Sequence, residues 1–232
     1  MKTVIVTDCP RADAAEIKRL AGFGVATVHE ALGRVGLVGA GIRPIQHDVR
    51  AAGNAVTVLS RPGDNLMIHA AVEQCRAGDF LVVATTSPSS DGMFGELFAT
   101  ALQRRGVRGL VITAGVRDTS ELRRLQFPVW SAAINAQGTV EATAGSVNVP
   151  IVVGGAVVRP GDVVLADDDG VLVVPRERVG DALAASEARE AKEALTRVAF
   201  RDGQLGLDRY GLRSVLADQG VDYVAWEDQQ GR

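Results

Sequence analysis

Two short apolar runs flank a helix-length amphipathic segment between Gly78 and Asp118, and this arrangement constrains the fold more than any other stretch of the chain. Asp79–Thr85 (DFLVVAT) has the Val- and Leu-rich composition of a strand buried on both faces. Phe94–Arg105 places Phe94, Leu97, Phe98, Ala101 and Leu102 along one side of a helix. Gly109–Thr113 is a second short apolar run. Two strands joined through a helix of that length run parallel. Both then end at the same sheet edge, where open α/β sheets bind ligands. The loops Ser87–Gly95 and Ala114–Asp118 are therefore expected side by side, and chemistry is sought there first.

Upstream, Ala12–Phe23 and Val25–Val35 read as helices separated by Gly22 and Gly24, with Val25, Val28 and Leu32 on a common face. Val49–Ser60 reads as a strand, Arg61–Asp64 as a turn, and Asn65–Arg76 as a helix capped by Asn65 or Asp64. Downstream, a short helix over Thr119–Leu125 leads to a strand near Pro128–Ser131. Short strands follow at Thr139–Thr143, Val147–Val153, Ala156–Val158, Asp162–Ala166 and Gly170–Val174, separated by Gly-rich turns. A mainly parallel layer followed by a β-rich one predicts a layered β/β/α sandwich and not a doubly wound sheet. Arg176–Arg201 reads as one long helix carrying Glu187, Glu190 and Glu193. A last short helix is expected at Asp208–Gln219, followed by a fraying tail. The expected division is a core over 1–175 and a helical extension over 176–232, packing on a neighbouring subunit.

The chain's 232 residues suffice for one full core. With 25 basic and 28 acidic residues the net charge is −3, which offers no basic surface for nucleic acid and no membrane-binding patch. The isolated Cys9 and Cys75 match no metal-ligand spacing. The longest near-apolar run, Val149–Val158, is too short to span a bilayer, and MKTVIVTDCP lacks the apolar core of a signal peptide. A cytoplasmic location is the expectation.

Arg117 and Asp118 form the sharpest pair. At a strand end, a carboxylate can hold a hard divalent cation while the adjacent guanidinium faces developing negative charge. Asp118 followed by Glu121 also reads as a capping box for the next helix, and both readings stand. The Ser87–Gly95 loop opens a helix whose first amides around Gly95–Phe98 could hold a carboxylate or phosphate, although it matches no nucleotide fingerprint. Asp167-Asp168-Asp169-Gly170 reads as a hairpin turn in preference to a calcium site. His29, His47 and His69 lack zinc-ligand spacing and read as structural or exposed. The acids of the long helix read as a solvated, ion-paired face.

Gly95-Glu-Leu-Phe-Ala-Thr100, Arg105-Gly-Val-Arg-Gly109 and Gly115-Val-Arg-Asp118 together resemble the signature of the RraA-like superfamily. The likeness is strongest to its 4-hydroxy-4-methyl-2-oxoglutarate / 4-carboxy-4-hydroxy-2-oxoadipate aldolases. It extends to Val25–Ala31, Gly145–Pro150, Pro160–Asp162, Asp167–Gly170, Ala191–Glu193 and Leu207–Gly211. The resemblance implies a class II pyruvate aldolase of aromatic-compound breakdown, with Mg²⁺ or Mn²⁺ as cofactor and oxaloacetate decarboxylation as a side activity. It implies a homotrimer or a hexamer built as a dimer of trimers. By the same resemblance Asp118 ligates the metal, Arg117 contacts the 2-oxo acid and stabilises its enolate, and amides around Gly95, Leu97 and Phe98 hold its carboxylate. Glu96 orders water at the metal. Glu193 reaches the site from a neighbouring subunit, as do Glu30 and His29. Thr113 departs from the family pattern, since many relatives carry an acidic or amide residue there. Other members are non-catalytic regulators that bind an RNA-degrading endonuclease, and the extension over Arg176–Arg213 favours the aldolase. A methyltransferase would need a Gly-rich nucleotide loop that the sequence lacks. With only Lys2, Lys18 and Lys192, and none on the site loops, Schiff-base chemistry is disfavoured.

Overall fold

The computed structural model describes residues 3–229. The chain divides into two compact units, the first ending at Glu187 and the second beginning at Ala188. The first is a mixed α/β unit built on one large sheet.

The expected crossover is present. Strand β3 (Asp79–Thr85) leads through β4 (Gly92–Phe94) and α4 (Glu96–Arg104) to β5 (Leu110–Val116). β3 and β5 pair in parallel, Leu81 opposite Leu110 and Val83 opposite Ile112. On their flanks, β2 (Ala51–Ser60) pairs in parallel with β3, and β6 (Val129–Ile134) with β5. The sheet path is β1-β6-β5-β3-β2-β10-β11, with β1 (Arg43–Pro44), β10 (Val163–Asp167) and β11 (Gly170–Val174) antiparallel to their neighbours. β7 (Ser146–Val147) adds to β2, and β8 (Ile151–Val153) with β9 (Ala156–Val158) forms a separate hairpin.

Strand alternation sorts this sheet into two cores. Val56, Val58, Leu81, Val83, Leu110 and Ile112 face α3 (Leu66–Gln74), α4 and α5 (Thr119–Arg124). Residues of opposite parity, including Ala55, Phe80, Val82, Val111 and Trp130, pack against β8, β9, β10 and β11. Helices on one face and strands on the other give the layered β/β/α arrangement that the sequence predicts. The sheet also curls on itself: Trp130 of β6 donates its indole N–H to the carbonyl of Asp167 in β10 at 2.8 Å, although three strands separate them along the path. A third core joins the outer face of β10–β11 to α1 (Ala14–Ala21), α2 (Val25–Ala31) and the start of α6 (Val179–Arg201).

The structure corrects several boundaries. β10 and β11 extend the parallel sheet, and do not belong to a second one. Phe94 belongs to β4, not to the helix, and β5 runs on to Val116, so little of the Ala114–Asp118 segment is loop. Thr139–Thr143 is no strand; it makes only an isolated bridge, Asp64 to Val140. The Val147–Val153 strand is split, because Asn148 takes a left-handed backbone (φ 57°) and Pro150 supplies no N–H. Arg176–Arg178 is a 3₁₀ turn ahead of α6. The second unit contains α7 (Gly206–Arg209), α8 (Leu212–Asp218) and α9 (Trp226–Gln229), so the helix expected over Asp208–Gln219 is two and the tail is partly helical. Two of the long helix's acids are ion-paired as expected: Glu193 with Arg189 at 2.8 Å and Glu190 with Arg197 at 2.6 Å.

The sheet edge opposite the expected site is fixed by Asp79, wholly buried at the start of β3. Arg11 donates Nε and Nη2 to its two oxygens at 2.7 Å each, and the Arg76 amide adds a third bond at 2.7 Å. Removing the guanidinium leaves a buried carboxylate short of its counter-charge. Arg11→Ala is therefore expected to lower stability by about 3 kcal/mol, the lower end for a broken buried pair, read as a fall in the urea midpoint at unchanged slope.

Candidate functional site

At the end of β5 the chain turns through Arg117 and Asp118. Asp118 has φ 54° and ψ 38°, a left-handed conformation that is uncommon for non-glycine residues but one that Asp adopts more readily than most. The expected capping box is not formed: Asp118 precedes α5 but makes no side-chain cap to it. Its Oδ2 instead accepts the amide of Glu96, the first residue of α4, at 3.2 Å. The carboxylate thus lies between the Arg117 Nε, 3.8 Å away, and the positive end of α4.

Glycines make this approach geometrically feasible. A Cβ on Gly95 would come within 2.4 Å of Asp118 Oδ2 and 3.1 Å of Arg117 Cγ. A Cβ on Gly115 would meet the Ser90 carbonyl oxygen at 2.1 Å, so the loop before β4 can lie directly on the end of β5. Lower down, Thr113 ties the two strands together: its Oγ1 accepts the Thr85 amide at 3.0 Å and lies 3.2 Å from the Thr85 hydroxyl.

Arg117 and Asp118 open onto a cavity of about 380 Å³. Gly95, Leu97 and Phe98 from the start of α4 line it, as do His69 and Val72 from α3. Phe98 is stacked on Phe94 at 5.6 Å between ring centroids and packs against the His69 ring at 4.4 Å. The amides of Leu97 and Phe98 fall in the first turn of α4 and have no carbonyl four residues back within the helix. The Glu96 side chain lies alongside, accepting the Thr100 hydroxyl at 3.3 Å.

Asn65, His69 and Glu141 also line the cavity, and sequence reasoning missed all three in this role. Their placement follows from Asp64. Buried to 2% exposure, its Oδ1 accepts the Leu66 amide at 3.0 Å and its Oδ2 the amides of Ala142 and Thr143 at 3.0 and 2.6 Å. Val140 bonds Gly63 and Asn65 through its own N–H and carbonyl. The segment that reads as a strand in sequence is thus pinned across the mouth of the site. Because Asp64 caps α3, the Asn65 side chain makes no cap.

Of the remaining expected residues of the first unit, His29 and Glu30 do not line the cavity. His29 and Glu30 sit on α2, which packs against β10 and β11, and Glu30 pairs with Arg34 at 2.9 Å. Glu193 belongs to the second unit. The Asp167–Gly170 segment is the hairpin turn expected: Asp167 pairs with Gly170, and its two oxygens accept the amides of Asp169 and Val25.

Known proteins place this geometry in a family. Residues 25–173 match the RraA-like family model, described as aldolase/RraA. The chain belongs to this family. A Burkholderia multivorans protein provisionally named 4-hydroxy-4-methyl-2-oxoglutarate aldolase is 35% identical over 132 residues, covering 57% of this chain and 80% of its own. One from Halalkalibacterium halodurans with the same provisional name is 27% identical over 169 residues, covering 73% and 80% respectively. The structure of Streptomyces coelicolor RraAS2, described as an unusual member of the RNase ES inhibitor RraA family, superposes with a TM-score of 0.71 at 24% identity. That match covers 82% of this chain and 99% of RraAS2. No helix among the described residues is long and apolar enough to cross a membrane.

Two outcomes test this geometry. Gly95 has an ordinary extended backbone, φ −153°, so Gly95→Ala is expected to fold with less than about 1 kcal/mol lost. Its methyl would displace the Asp118 carboxylate, and any activity of the site should fall at least about tenfold at unchanged thermal midpoint. For Asp64, burial raises the carboxyl pKa but the backbone N–H bonds from Leu66, Ala142 and Thr143 outweigh it, leaving the folded value below the ordinary one. The resulting stability is present above about pH 4, the range where an unfolded Asp is ionised, and is lost as pH falls through the lower folded value. Unfolding free energy measured from pH 6 to pH 2.5 should therefore fall less steeply in Asp64→Asn than in wild type.

Proposed function

We propose that the protein is a divalent-metal-dependent lyase that cleaves the C3–C4 bond of a 4-hydroxy-2-oxo acid to release pyruvate. One observation carries this reading: a guanidinium and a carboxylate on adjacent residues meet the first turn of a helix at a mainly apolar cavity. The names carried by the two bacterial relatives support the same reaction class. So do the 4-hydroxy-4-methyl-2-oxoglutarate and 4-carboxy-4-hydroxy-2-oxoadipate that the family resemblance suggests as substrates.

The donor set fits a hard cation of the Mg²⁺ kind. Among the described residues no cluster of three His, Cys, Asp or Glu forms a protein cage. Asp118 offers a half-exposed carboxylate beside Arg117 at the cavity, one of whose oxygens accepts the Glu96 amide. Mg²⁺ is commonly held by one or two carboxylates with substrate and water completing the shell. Mg²⁺ or Mn²⁺ held there would supply Lewis-acid stabilisation of negative charge on the 2-oxo oxygen.

The chain's own groups account for the remaining chemistry. The Leu97 and Phe98 amides receive the C1 carboxylate at the positive end of α4. Arg117 donates to the 2-oxo oxygen, and its hydrogen bonds strengthen as charge develops there. The C4 hydroxyl loses its proton to an acceptor ordered by Glu96, the C4–O bond becomes a carbonyl, and the C3–C4 electron pair moves to C3. Protonation at C3 gives pyruvate, and the C4 fragment leaves as an aldehyde or ketone. In the assembled trimer or hexamer, Glu193, Glu30 and His29 of a neighbouring subunit complete the site. Oxaloacetate decarboxylation requires only the same enolate and is a side activity of this proposal.

The likeness to RraAS2 favours a second reading, a non-catalytic regulator that binds an RNA-degrading endonuclease. It leaves a share of this chain unmatched, which a contact inhibitor of that size does without. Purified protein with Mg²⁺ should release pyruvate, measured through lactate dehydrogenase, from at least one 4-hydroxy-2-oxo acid or oxaloacetate, and chelator should abolish the signal. Arg117→Ala and Asp118→Ala should each lose at least about 10²-fold in turnover at native-like circular dichroism. Silence on every substrate would transfer the weight to the regulatory reading.

A further inference from the structure

The start of α3 brings two polar side chains to the cavity wall, one helical turn apart, and neither makes a hydrogen bond within the chain. We infer that Asn65 and His69 form the subsite for a carboxylate carried on C4 of the 4-hydroxy-2-oxo acid, and so set a preference for substrates with a second carboxylate. The inference rests on the lyase reading and deepens it, because it assigns the far end of the substrate to named side chains.

Asn65 is 6% exposed, and its Oδ1 is enclosed without a partner, whereas its Nδ2 is not enclosed. The amide thus presents an N–H to the cavity, and a polar group left unpaired there is costly until an acceptor arrives. Backbone bonds hold Asn65 in place. Its N–H donates to Val140 at 2.9 Å, and its carbonyl accepts the amides of Ile68 and His69 at 2.9 and 3.2 Å. Positions four apart share a helix face, so His69 stands one turn along on the same side. Its ring packs against Phe98 of α4 at 4.4 Å between centroids, which fixes the plane of the imidazole beside the cavity. Either neutral tautomer offers one N–H, and the imidazolium offers two. Two such donors, one turn apart, can converge on the two oxygens of a single carboxylate.

The other end of the substrate decides which acceptor reaches them. With the 2-oxo acid on Arg117 and the first amides of α4, C4 and its substituents lie toward α3. Both substrates proposed above bear a carboxylate on C4. Val72, the next α3 residue at the cavity, supplies an apolar surface for a methyl group there. Neither nearby acid opposes this. Asp64 is enclosed, and its oxygens are taken by the amides of Leu66, Ala142 and Thr143. Glu141 is exposed, and no contact holds its side chain, so it is free to turn to solvent. The donors themselves are set by contacts inside this chain and do not depend on what a neighbouring subunit adds.

Matched substrates test the assignment. 4-Hydroxy-2-oxoglutarate and 4-hydroxy-2-oxopentanoate share the reacting carbons and differ in whether C5 is a carboxylate or a methyl group. With the full chain and Mg²⁺, kcat/KM should favour the glutarate by about tenfold or more, the scale of one hydrogen bond to a charged group. Asn65→Leu and His69→Phe keep the shape and lose the donor, and each should shrink that ratio by about tenfold. Asn65→Asp should shrink it further by placing a like charge on the carboxylate, and His69→Gln, which keeps an N–H, should lie between wild type and His69→Phe. A wild-type ratio below about twofold overturns the inference, as do variants that lower both substrates alike and leave the ratio within about twofold of wild type. Deuterium incorporation into the pyruvate methyl group in D₂O, with Mg²⁺ present, involves no C4 substituent. Wild-type incorporation together with a failed ratio sinks the subsite alone, whereas no incorporation sinks the lyase reading beneath it.

Discussion

Everything at this site depends on one close contact, between the carboxylate of Asp118 and the first amide of α4. It requires Asp118 to hold a left-handed backbone and Gly95 to carry no side chain, because a Cβ would occupy the space of the Asp118 oxygen. The contact bridges two chain segments brought together by the parallel crossover, one ending β5 and the other opening α4. It fixes where the helix dipole points and where the adjacent guanidinium stands. A carboxylate used as an ordinary cap for α5 would not bond the start of α4, and the cavity would lack an anion beside Arg117.

The second constraint is Asp64. A buried carboxylate with three backbone N–H donors is a strong clamp, because each bond is charge-assisted and shielded from water. It joins the start of α3 to a segment nearly eighty residues away, and so brings Asn65, His69 and Glu141 to a cavity otherwise made by α4 and β5. One half of the site comes from the parallel crossover, and the other half from a loop that no strand pairing holds.

That split explains what could be read from the chain alone. The crossover was legible because Val- and Leu-rich runs and a helical stripe are local patterns, and Arg117, Asp118 and the start of α4 are adjacent to them. The membership of the RraA-like family was legible from the same motifs. The Asp64 clamp was not. Asp64 reads as a turn residue or the cap of α3, and that capping bond is made, but Thr139–Thr143 has the alternation of a strand; only the fold shows that the amides of 142 and 143 bond the same side chain instead of a neighbouring strand. β10 and β11 misled for a related reason. Their hairpin was plain, but the curl that brings Trp130 to the Asp167 carbonyl lies in the summed twist of many strands, which no short window of sequence contains. Asp118 misled in the opposite way, since a capping box matched by spacing was annulled by a single backbone dihedral.

The loop over the cavity mouth is held almost wholly through its main chain: N–H groups at 140, 142 and 143 and the carbonyl at 140 make its anchoring bonds. Those groups are common to every residue type but proline, which lacks the N–H. The path of the loop is therefore indifferent to which side chain stands at position 141, while the electrostatics of the cavity are not. Such a scaffold separates the question of folding from the question of what it admits. Drift at one exposed position can change the charge at the cavity mouth with the backbone undisturbed, so what the cavity admits can alter without an unstable intermediate.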